Sequence, residues 1–409
     1  MEDTDVMMDG DQELTPFIRV GTTYYKIASQ PQPDGSRSVK RLRWEKNTIS
    51  FDFGKEYLRQ IPRYNGFCTV PMHIGYRRDI NGFYNIYEPI SHEPSMGPWR
   101  NIQMLVEHIF GEQYEYGLDY LQLLYLRPTQ KLPILLLVSE ERNTGKTTFL
   151  NFLKSVFEDN ATFNTNEDFR SKFNSDWAGK LLVMVDEALL TRREDSERLK
   201  NLSTAKTYKA EAKGKDRDEI SFFAKFVMCS NNERTPVLID PGETRYWVRK
   251  IEPLRNDDTE FLKHLRTEIP AFLGYLNRRI LYTRQLSRMW FKPEHLETPA
   301  LRRIIRSNRN RLELELVEQL RDIMLSTGNE SVSFCLNDIL TLLTYSNVKA
   351  ERSQIRTILQ EYWKIYPVNN ALTYQRWELN VMHPGGYSST SHTGRFYTVT
   401  KSFLDTLGL

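Results

Sequence analysis

The chain has 409 residues, of which 27% are charged, and its formal net charge at neutral pH is +3. This length suffices for two or three domains, and the small net charge excludes a globally basic protein, so any nucleic-acid contact must come from local clusters. Three widely separated cysteines exclude a cysteine-based zinc finger and indicate a reducing, cytoplasmic setting. Because the sequence has neither a basic, apolar leader nor an 18-residue apolar run, we expect no signal peptide and no membrane contact.

The first 130 residues predict three segments. Residues 1–15 carry six acidic and no basic side chains, which indicates a disordered tail. Residues 16–94 predict a mixed α/β domain, beginning with β-type alternation between Phe17 and Trp44. Basic residues around Trp44 are typical of a solvated strand face or of a nucleic-acid surface. Residues 95–130 have helical periodicity and predict a small helical bundle.

At Ile134 an apolar run typical of a buried strand leads into a loop and then a helix. Backbone N–H groups of such a loop and the positive end of the helix converge on a polyphosphate. Lys146 would neutralise phosphate oxygens, and the Thr147 hydroxyl would ligate Mg²⁺. Glu140 stands where the usual pattern has its first glycine. The residues expected to bind ATP are Asn143, Thr144, Gly145, Lys146, Thr147 and Thr148.

Two further apolar runs predict strands of the same parallel sheet, each followed by polar side chains. Leu181–Val185 is followed by Asp186 and Glu187, and Phe226–Ser230 is followed by Asn231. Because ligands of open α/β sheets bind at the carboxyl ends of strands, we expect these side chains beside the loop. We predict that Asp186 holds Mg²⁺, directly or through water, and that Glu187 orients or deprotonates the attacking water. Asn231 would hydrogen-bond either the γ-phosphate or that water. Taken singly, each group is also typical of a solvated strand end or turn.

Two basic features complete this region. Arg245 lies 14 residues after Asn231, just before another strand-like run. Such an arginine is either a surface cation or a group at the rim of a nucleotide site, its own or a neighbour's. An alternating segment turns at Gly214 between Lys213 and Lys215, which predicts a hairpin with a basic tip. That tip is either simply solvated or a contact for nucleic-acid phosphates.

The carboxy-terminal part predicts two further segments. Residues 256–310 are expected to be helical, and residues 311–409 read as helices followed by two strands, Thr373–Asn380 and Arg395–Val399. A glycine- and serine-rich segment at 383–392 predicts a flexible loop between the strands. This order indicates a winged-helix-like module, whose ligand can be DNA or protein.

The order of these motifs resembles that of superfamily 3 helicases, the compact AAA+ motors of DNA viruses, phages and plasmids. More narrowly, it resembles the helicase part of phage, mobile-element and poxvirus-type primase-helicases, over roughly residues 95–290. The resemblance implies an α/β fold whose AAA+ P-loop NTPase core, with a parallel sheet, spans residues 131–255. The mixed N-terminal region and its bundle, a collar for oligomerisation, would precede this core, and the helical segment and winged-helix-like module would follow it.

The resemblance also assigns roles to individual residues. Arg245 would be a finger acting across a subunit boundary, with Arg249 as a second candidate, while Lys213 and Lys215 would track DNA. The residues expected to carry catalysis are Lys146, Asp186, Glu187, Asn231 and Arg245.

We therefore expect an ATP- and Mg²⁺-dependent DNA helicase or translocase of a phage or mobile genetic element. It would act in DNA replication as a homo-oligomeric ring, expected to be a hexamer, that threads single-stranded DNA and works with a primase or another replication protein. One alternative is a non-translocating DNA-binding ATP switch or replication initiator. Another is a scaffold in which Glu140 has spoiled the loop. A small-molecule kinase is disfavoured, because it would have no use for a basic hairpin.

Overall fold

A computed structural model describes residues 16–31, 37–170, 177, 179–210, 218–240, 242–254, 258–308, 311–346, 348, 350–380, 382–383 and 386–407. The chain forms two compact units. The first comprises Met1–Val237 and Thr244–Thr298, and the second comprises Leu238–Glu243 and Pro299–Leu409. The predicted acidic tail at 1–15 lies outside the described residues.

The first unit begins with a region of mixed strands and helices. Its elements are β1 (Phe17–Val20), β2 (Thr23–Pro31), β3 (Arg37–Trp44), α1 (Lys46–Phe53), α2 (Tyr57–Gln60), β4 (Arg63–Tyr64), β5 (Gly66–Cys68), β6 (Asp79–Ile80) and β7 (Phe83–Asn85). Within the described residues, one sheet has the order β3-β2-β1-β4 and a second has the order β5-β7-β6. Phe17 and Tyr24 of the first sheet pack with Ile49 of α1 in a small core of their own.

The rest of the first unit is built around a parallel sheet. Its elements are α3 (Arg100–Phe110), α4 (Tyr114–Leu126), β8 (Ile134–Val138), α5 (Lys146–Phe157), β9 (Ala161–Phe163), β10 (Leu182–Val185), α6 (Arg193–Thr204), β11 (Thr207–Ala210), β12 (Asp218–Ser221), β13 (Lys225–Ser230), β14 (Tyr246–Lys250), α7 (Phe261–Arg278) and α8 (Pro293–Leu296). In the part of the chain that is described, the sheet order is β14-β8-β13-β10-β9, and every pairing is parallel. The α/β prediction is confirmed, and the three predicted strands are found within one residue of their expected bounds.

Helices and sheet of this region share one hydrophobic core. Ile109 of α3, Leu121 of α4 and Leu273 of α7 are buried in the same cluster as Leu135 of β8. Strands β8 and β10 are apolar and buried throughout because both of their faces are covered. The predicted bundle at 95–130 is therefore packed onto the sheet and α7 rather than forming a separate core. No helix among the described residues is both long and apolar enough to cross a bilayer.

The second unit contains helices followed by a β-hairpin. Its elements are α9 (Pro299–Ser307), α10 (Arg311–Thr327), β15 (Ser331–Phe334), α11 (Leu336–Tyr345), α12 (Arg352–Thr357), β16 (Leu372–Leu379), β17 (Tyr387–Gly394), β18 (Tyr397–Thr400) and α13 (Lys401–Thr406). Strand β16 pairs antiparallel with β17, and β15 pairs with β18. This order is the one expected for the winged-helix-like module, whose assignment stays a prediction.

One prediction in this unit is wrong. Most of the segment predicted as a flexible loop, 383–392, belongs to strand β17. The strand is anchored by the buried Tyr387, whose hydroxyl donates to Asp322 (2.5 Å) and accepts a hydrogen bond from Gln319 (2.8 Å). Its serine and threonine side chains point mostly to solvent, so that the sequence lacked the apolar alternation by which strands are predicted.

Candidate active site

The loop between β8 and α5 turns through two left-handed residues. Asn143 has φ 56° and Gly145 has φ 78°. Asparagine is one of the few residues besides glycine that tolerate this region, and a Cβ at position 145 would lie 3.3 Å from Cδ1 of Leu254. Glu140 is not among the positive-φ residues. The loop therefore turns without needing a glycine at position 140.

Lys146 lies at the start of α5 with its ammonium turned into the loop. Its side chain is buried, and Nζ donates to Oγ1 of Thr144 (2.9 Å) and to the hydroxyl of Ser139. Burial lowers the pKa of Lys146, whereas the Cys229 thiol and the Asp186 carboxylate act in the opposite direction. The ammonium of Lys146 therefore lies inside the loop that precedes α5, where phosphate oxygens could replace these hydroxyl partners.

The next residue, Thr147, meets the end of β10. Its hydroxyl donates to Oδ2 of Asp186 (2.9 Å), while the backbone N–H of Glu187 donates to Oδ1 of Asp186 (3.2 Å). Glu187 is exposed, has φ 58°, and its carbonyl accepts from the Asn166 amide (3.1 Å). Hydroxyl and carboxylate oxygens fit the preference of Mg²⁺. No group of three or more His, Cys, Asp or Glu side chains among the described residues could hold a metal alone, so phosphate and water oxygens would complete its shell.

Asn231 lies at the end of the neighbouring strand β13. Ser230 of β13 pairs with Val138 of β8, and Asn231 follows directly and is exposed. The next residue, Asn232, has a different task, because its side-chain oxygen accepts from the backbone N–H groups of Arg234 and Thr235, at 2.9 Å each. The structure thus brings Asn231 to the same sheet edge as Lys146 and uses Asn232 to close the turn.

Several residues of this site were not predicted. The buried Glu233 accepts from the backbone N–H of Glu140 (3.2 Å) and lies 3.6 Å from the ammonium of Lys250. His108 of α3 contacts the carbonyl of Thr144 at 3.0 Å. The carboxylate of Glu140 is exposed and lies 3.7 Å from the guanidinium of Arg234. These contacts join segments that are distant in sequence, and no local pattern marks them.

The two candidate arginine fingers lie in different places. The carbonyl of Arg245 accepts from the N–H of Ile134 (2.8 Å), so this residue is at the amino end of the strands. The five residues of β14 separate it from the loop edge by about 16 Å, at about 3.3 Å per residue. Arg249 instead donates to Gln113 (2.9 Å) and to the carbonyl of Ile109 (3.3 Å), and burial lowers its pKa. The structure therefore does not bring Arg245 to this subunit's own site.

The predicted hairpin is present as strands β11 and β12, which pair antiparallel from Thr207↔Ser221 to Ala210↔Asp218. Its tip, with Lys213 and Lys215, lies outside the described residues.

Fold and site together define an α/β protein with a parallel sheet and a candidate site at the carboxyl ends of its strands. Residues 137–246 match a family of unknown function, DUF5906. The structure is similar to two structures of the C-terminal region of NrS-1. The apo structure of residues 305–718 has a TM-score of 0.57 at 16% identity, covering 86% of this chain and 84% of that one. An A-form apo structure has a TM-score of 0.56 at 17% identity, covering 85% and 82%. No curated protein matches the sequence.

Proposed function

We propose that this chain is an Mg²⁺-dependent ATPase that drives a DNA helicase or translocase in the replication of a phage or mobile genetic element. The observation that carries the proposal is the meeting of Lys146, Thr147 and Asp186 at one sheet edge. In the strand order β14-β8-β13-β10-β9, strand β8 is next to β13, so the loop that follows β8 lies beside the residue that follows β13, as a ligand site at the carboxyl ends of an open sheet requires. The fold is also similar to that of the C-terminal region of NrS-1.

The residues of the site divide the chemistry of hydrolysis among themselves. Lys146 would bind β- and γ-phosphate oxygens in place of its present hydroxyl partners. Thr147 and Asp186 would hold Mg²⁺, which neutralises phosphate charge when bound. Glu187, exposed at the rim, would orient the attacking water or take its proton, and Asn231 would hydrogen-bond the γ-phosphate.

A ring follows from the position of Arg245. Because about 16 Å of strand separates it from its own loop, the guanidinium can reach a γ-phosphate only in a neighbouring subunit. Arg249 is held by Gln113 within its own subunit, which favours Arg245 as the finger. We therefore propose a homo-oligomer, expected to be a hexamer, with ATP bound between subunits.

Strand β13 supplies the link between ATP and DNA. It joins the foot of the hairpin to Asn231 through six residues that are all buried. A shift of Asn231 when the γ-phosphate leaves would move β13 and the hairpin with it. Lys213 and Lys215 would then carry single-stranded DNA, and a primase or another replication protein is the expected partner in the cytoplasm.

Steady-state ATP hydrolysis with and without single-stranded DNA tests the proposal. We expect stimulation by DNA in the unmodified protein and its loss in Lys146→Ala and Arg245→Ala. Removing an arginine finger should lower kcat by about 10³-fold or more. Arg278→Ala, which removes an exposed arginine from α7, is the matched control and should retain wild-type activity. Hydrolysis indifferent to DNA would favour the switch or initiator, and binding without hydrolysis would favour the scaffold.

Mixing the two inactive variants tests whether the sites form between subunits. In a mixed ring, a Lys146→Ala subunit can offer its intact Arg245 to the intact loop of an Arg245→Ala subunit. We therefore expect mixtures to recover part of the activity that each variant lacks alone. If Arg245 acted within its own subunit, no mixture would recover activity, and the trans-acting site would be refuted.

A further inference from the structure

A cavity lies at the foot of the β11–β12 hairpin. It has a volume of about 340 Å³, and its lining includes Lys131, Lys206, Thr129, Ser221 and Phe222. None of the described residues that line it is acidic. The lining therefore combines two lysines and three hydroxyl-bearing side chains with apolar residues and no carboxylate, a set of groups that could bind an anion.

This cavity is tied to the hairpin and not to the ATP loop. Lys206 immediately precedes β11, Ser221 ends β12, and the N–H of Phe222 donates to the carbonyl of Lys206 (2.9 Å). Of the lining residues, Lys131 lies three residues before β8 and Phe223 lies two residues before β13, so the cavity is at the amino ends of these strands. The ATP loop follows the carboxyl end of β8, so the two sites are at opposite edges of the sheet.

The ammonium of Lys131 is partly buried beside Phe222, and its contacts there include no carboxylate. Nζ donates to the carbonyl of Phe222 (2.7 Å) and lies 5.3 Å from the centroid of the Phe222 ring. Burial lowers the pKa of Lys131 to about 8. A carbonyl and a ring face satisfy a hydrogen bond but bring no negative charge. A phosphate oxygen would supply both, and the exposed Lys206 would share the charge.

We propose that this cavity binds a backbone phosphate of single-stranded DNA as the strand runs along the hairpin. Lys131 and Lys206 would contact the phosphate, while the hydroxyls of Thr129 and Ser221 would donate to its oxygens or to the sugar. The buried Phe222 forms the apolar wall. This inference rests on the proposed function and adds a second DNA contact, at the foot of the hairpin rather than at its tip.

Lysine footprinting of the full chain locates the contact directly. Amine acetylation is measured by mass spectrometry with and without a 20-residue oligo-dT, in the absence of ATP. We expect the oligonucleotide to slow the labelling of Lys131 and Lys206 at least fivefold and to leave the exposed Lys55 unchanged. Unchanged labelling of both lysines at saturating oligo-dT would overturn the inference. Equal protection by inorganic phosphate or thymidine monophosphate alone would overturn it too, in favour of a free-anion site.

Affinity measurements give a second and independent test. Each phosphate contact on a single strand contributes about 0.7 to the slope of log K against log salt. Because both lysines would contact the same phosphate, the double variant Lys131→Gln/Lys206→Gln should lower that slope by about 0.7 and bind oligo-dT about tenfold more weakly. Lys55→Gln is the charge-matched control, and Lys206→Arg should bind nearly as the wild type. A slope equal to that of the control would refute the contact.

The two proposals fail in different ways. Protection of both lysines without DNA-stimulated hydrolysis would contradict the proposed motor and support the DNA contact. DNA-stimulated hydrolysis with a normal salt slope in the double variant would remove this site and leave the motor.

Discussion

Gly145 offers a sharp test of the loop geometry, because its backbone has φ 78° and its neighbours are close. An L-residue in this region costs about 1–2 kcal/mol. In Gly145→Ala the new Cβ would also lie 3.3 Å from Cδ1 of Leu254 and 3.8 Å from Cδ2 of His108. The first contact is with the tip of a flexible side chain, so we expect the backbone conformation to supply most of the cost.

Either of two responses to this strain is measurable. If the loop keeps its shape, the free energy of unfolding should fall by about 1–2 kcal/mol. If the loop shifts to relieve the strain, its N–H groups lose their convergence, and the Kd for ATP should rise about five- to thirtyfold. Urea unfolding and titration with a fluorescent ATP analogue distinguish the two responses.

Gly21→Ala is the matched control. Gly21 also has a left-handed φ, 58°, and no atom lies within 4 Å of its Cβ position. It lies in the β1–β2 turn, so its replacement should lower stability by a similar amount while ATP affinity stays unchanged. A Gly145→Ala protein with wild-type stability and wild-type ATP affinity would refute this reasoning about the loop.

Three further predictions concern single residues. Glu140→Gly should change ATP affinity less than threefold. The loop needs no left-handed residue at this position, and the exposed ion pair between Glu140 and Arg234 is worth about 0–1 kcal/mol. A large gain in ATP hydrolysis would instead support the scaffold. Asp119→Ala should destabilise the protein by about 3–5 kcal/mol in urea unfolding, because it leaves Arg279 buried without this partner, and a loss below about 1 kcal/mol would contradict that. Burial lowers the pKa of His73 to about 4. The unfolded chain therefore binds more protons than the folded chain between pH 6.5 and 4. The free energy of unfolding should be unaffected by His73 above pH 6.5 and should fall by about 2 kcal/mol by pH 5. This pH dependence should be absent in His73→Gln.

The part of the site that could be predicted is the part that is local in sequence. Buried parallel strands are continuous apolar runs, and the side chains that follow them must meet at one sheet edge. That reasoning places Lys146, Thr147, Asp186 and Asn231 correctly. The roles assigned to them in ATP hydrolysis stay predictions.

The contacts that could not be predicted depend on tertiary packing. His108 contacts the loop from 36 residues away in sequence, and Glu233, just after the neighbouring strand β13, accepts a hydrogen bond from the loop residue Glu140. Arg245 lies at the opposite ends of the strands because β14 runs parallel to β8, a direction that the sequence does not state. Strand β17 was missed for another reason, since a strand rich in serine and threonine has no apolar alternation to detect.

Lys131 allows function and stability to be set against each other in one variant. Its pKa is about 8 in the folded chain and ordinarily 10.5, so the unfolded chain binds more protons between these values. The free energy of unfolding therefore rises with pH between about 8 and 10.5, and the destabilisation caused by the buried charge is greatest below pH 8. We expect Lys131→Met to be more stable than the wild type at pH 7, with the difference closing toward pH 10.5, and to bind oligo-dT more weakly. If the lysine served only to hold the Phe222 carbonyl, the same change would lower stability and leave DNA affinity unaltered.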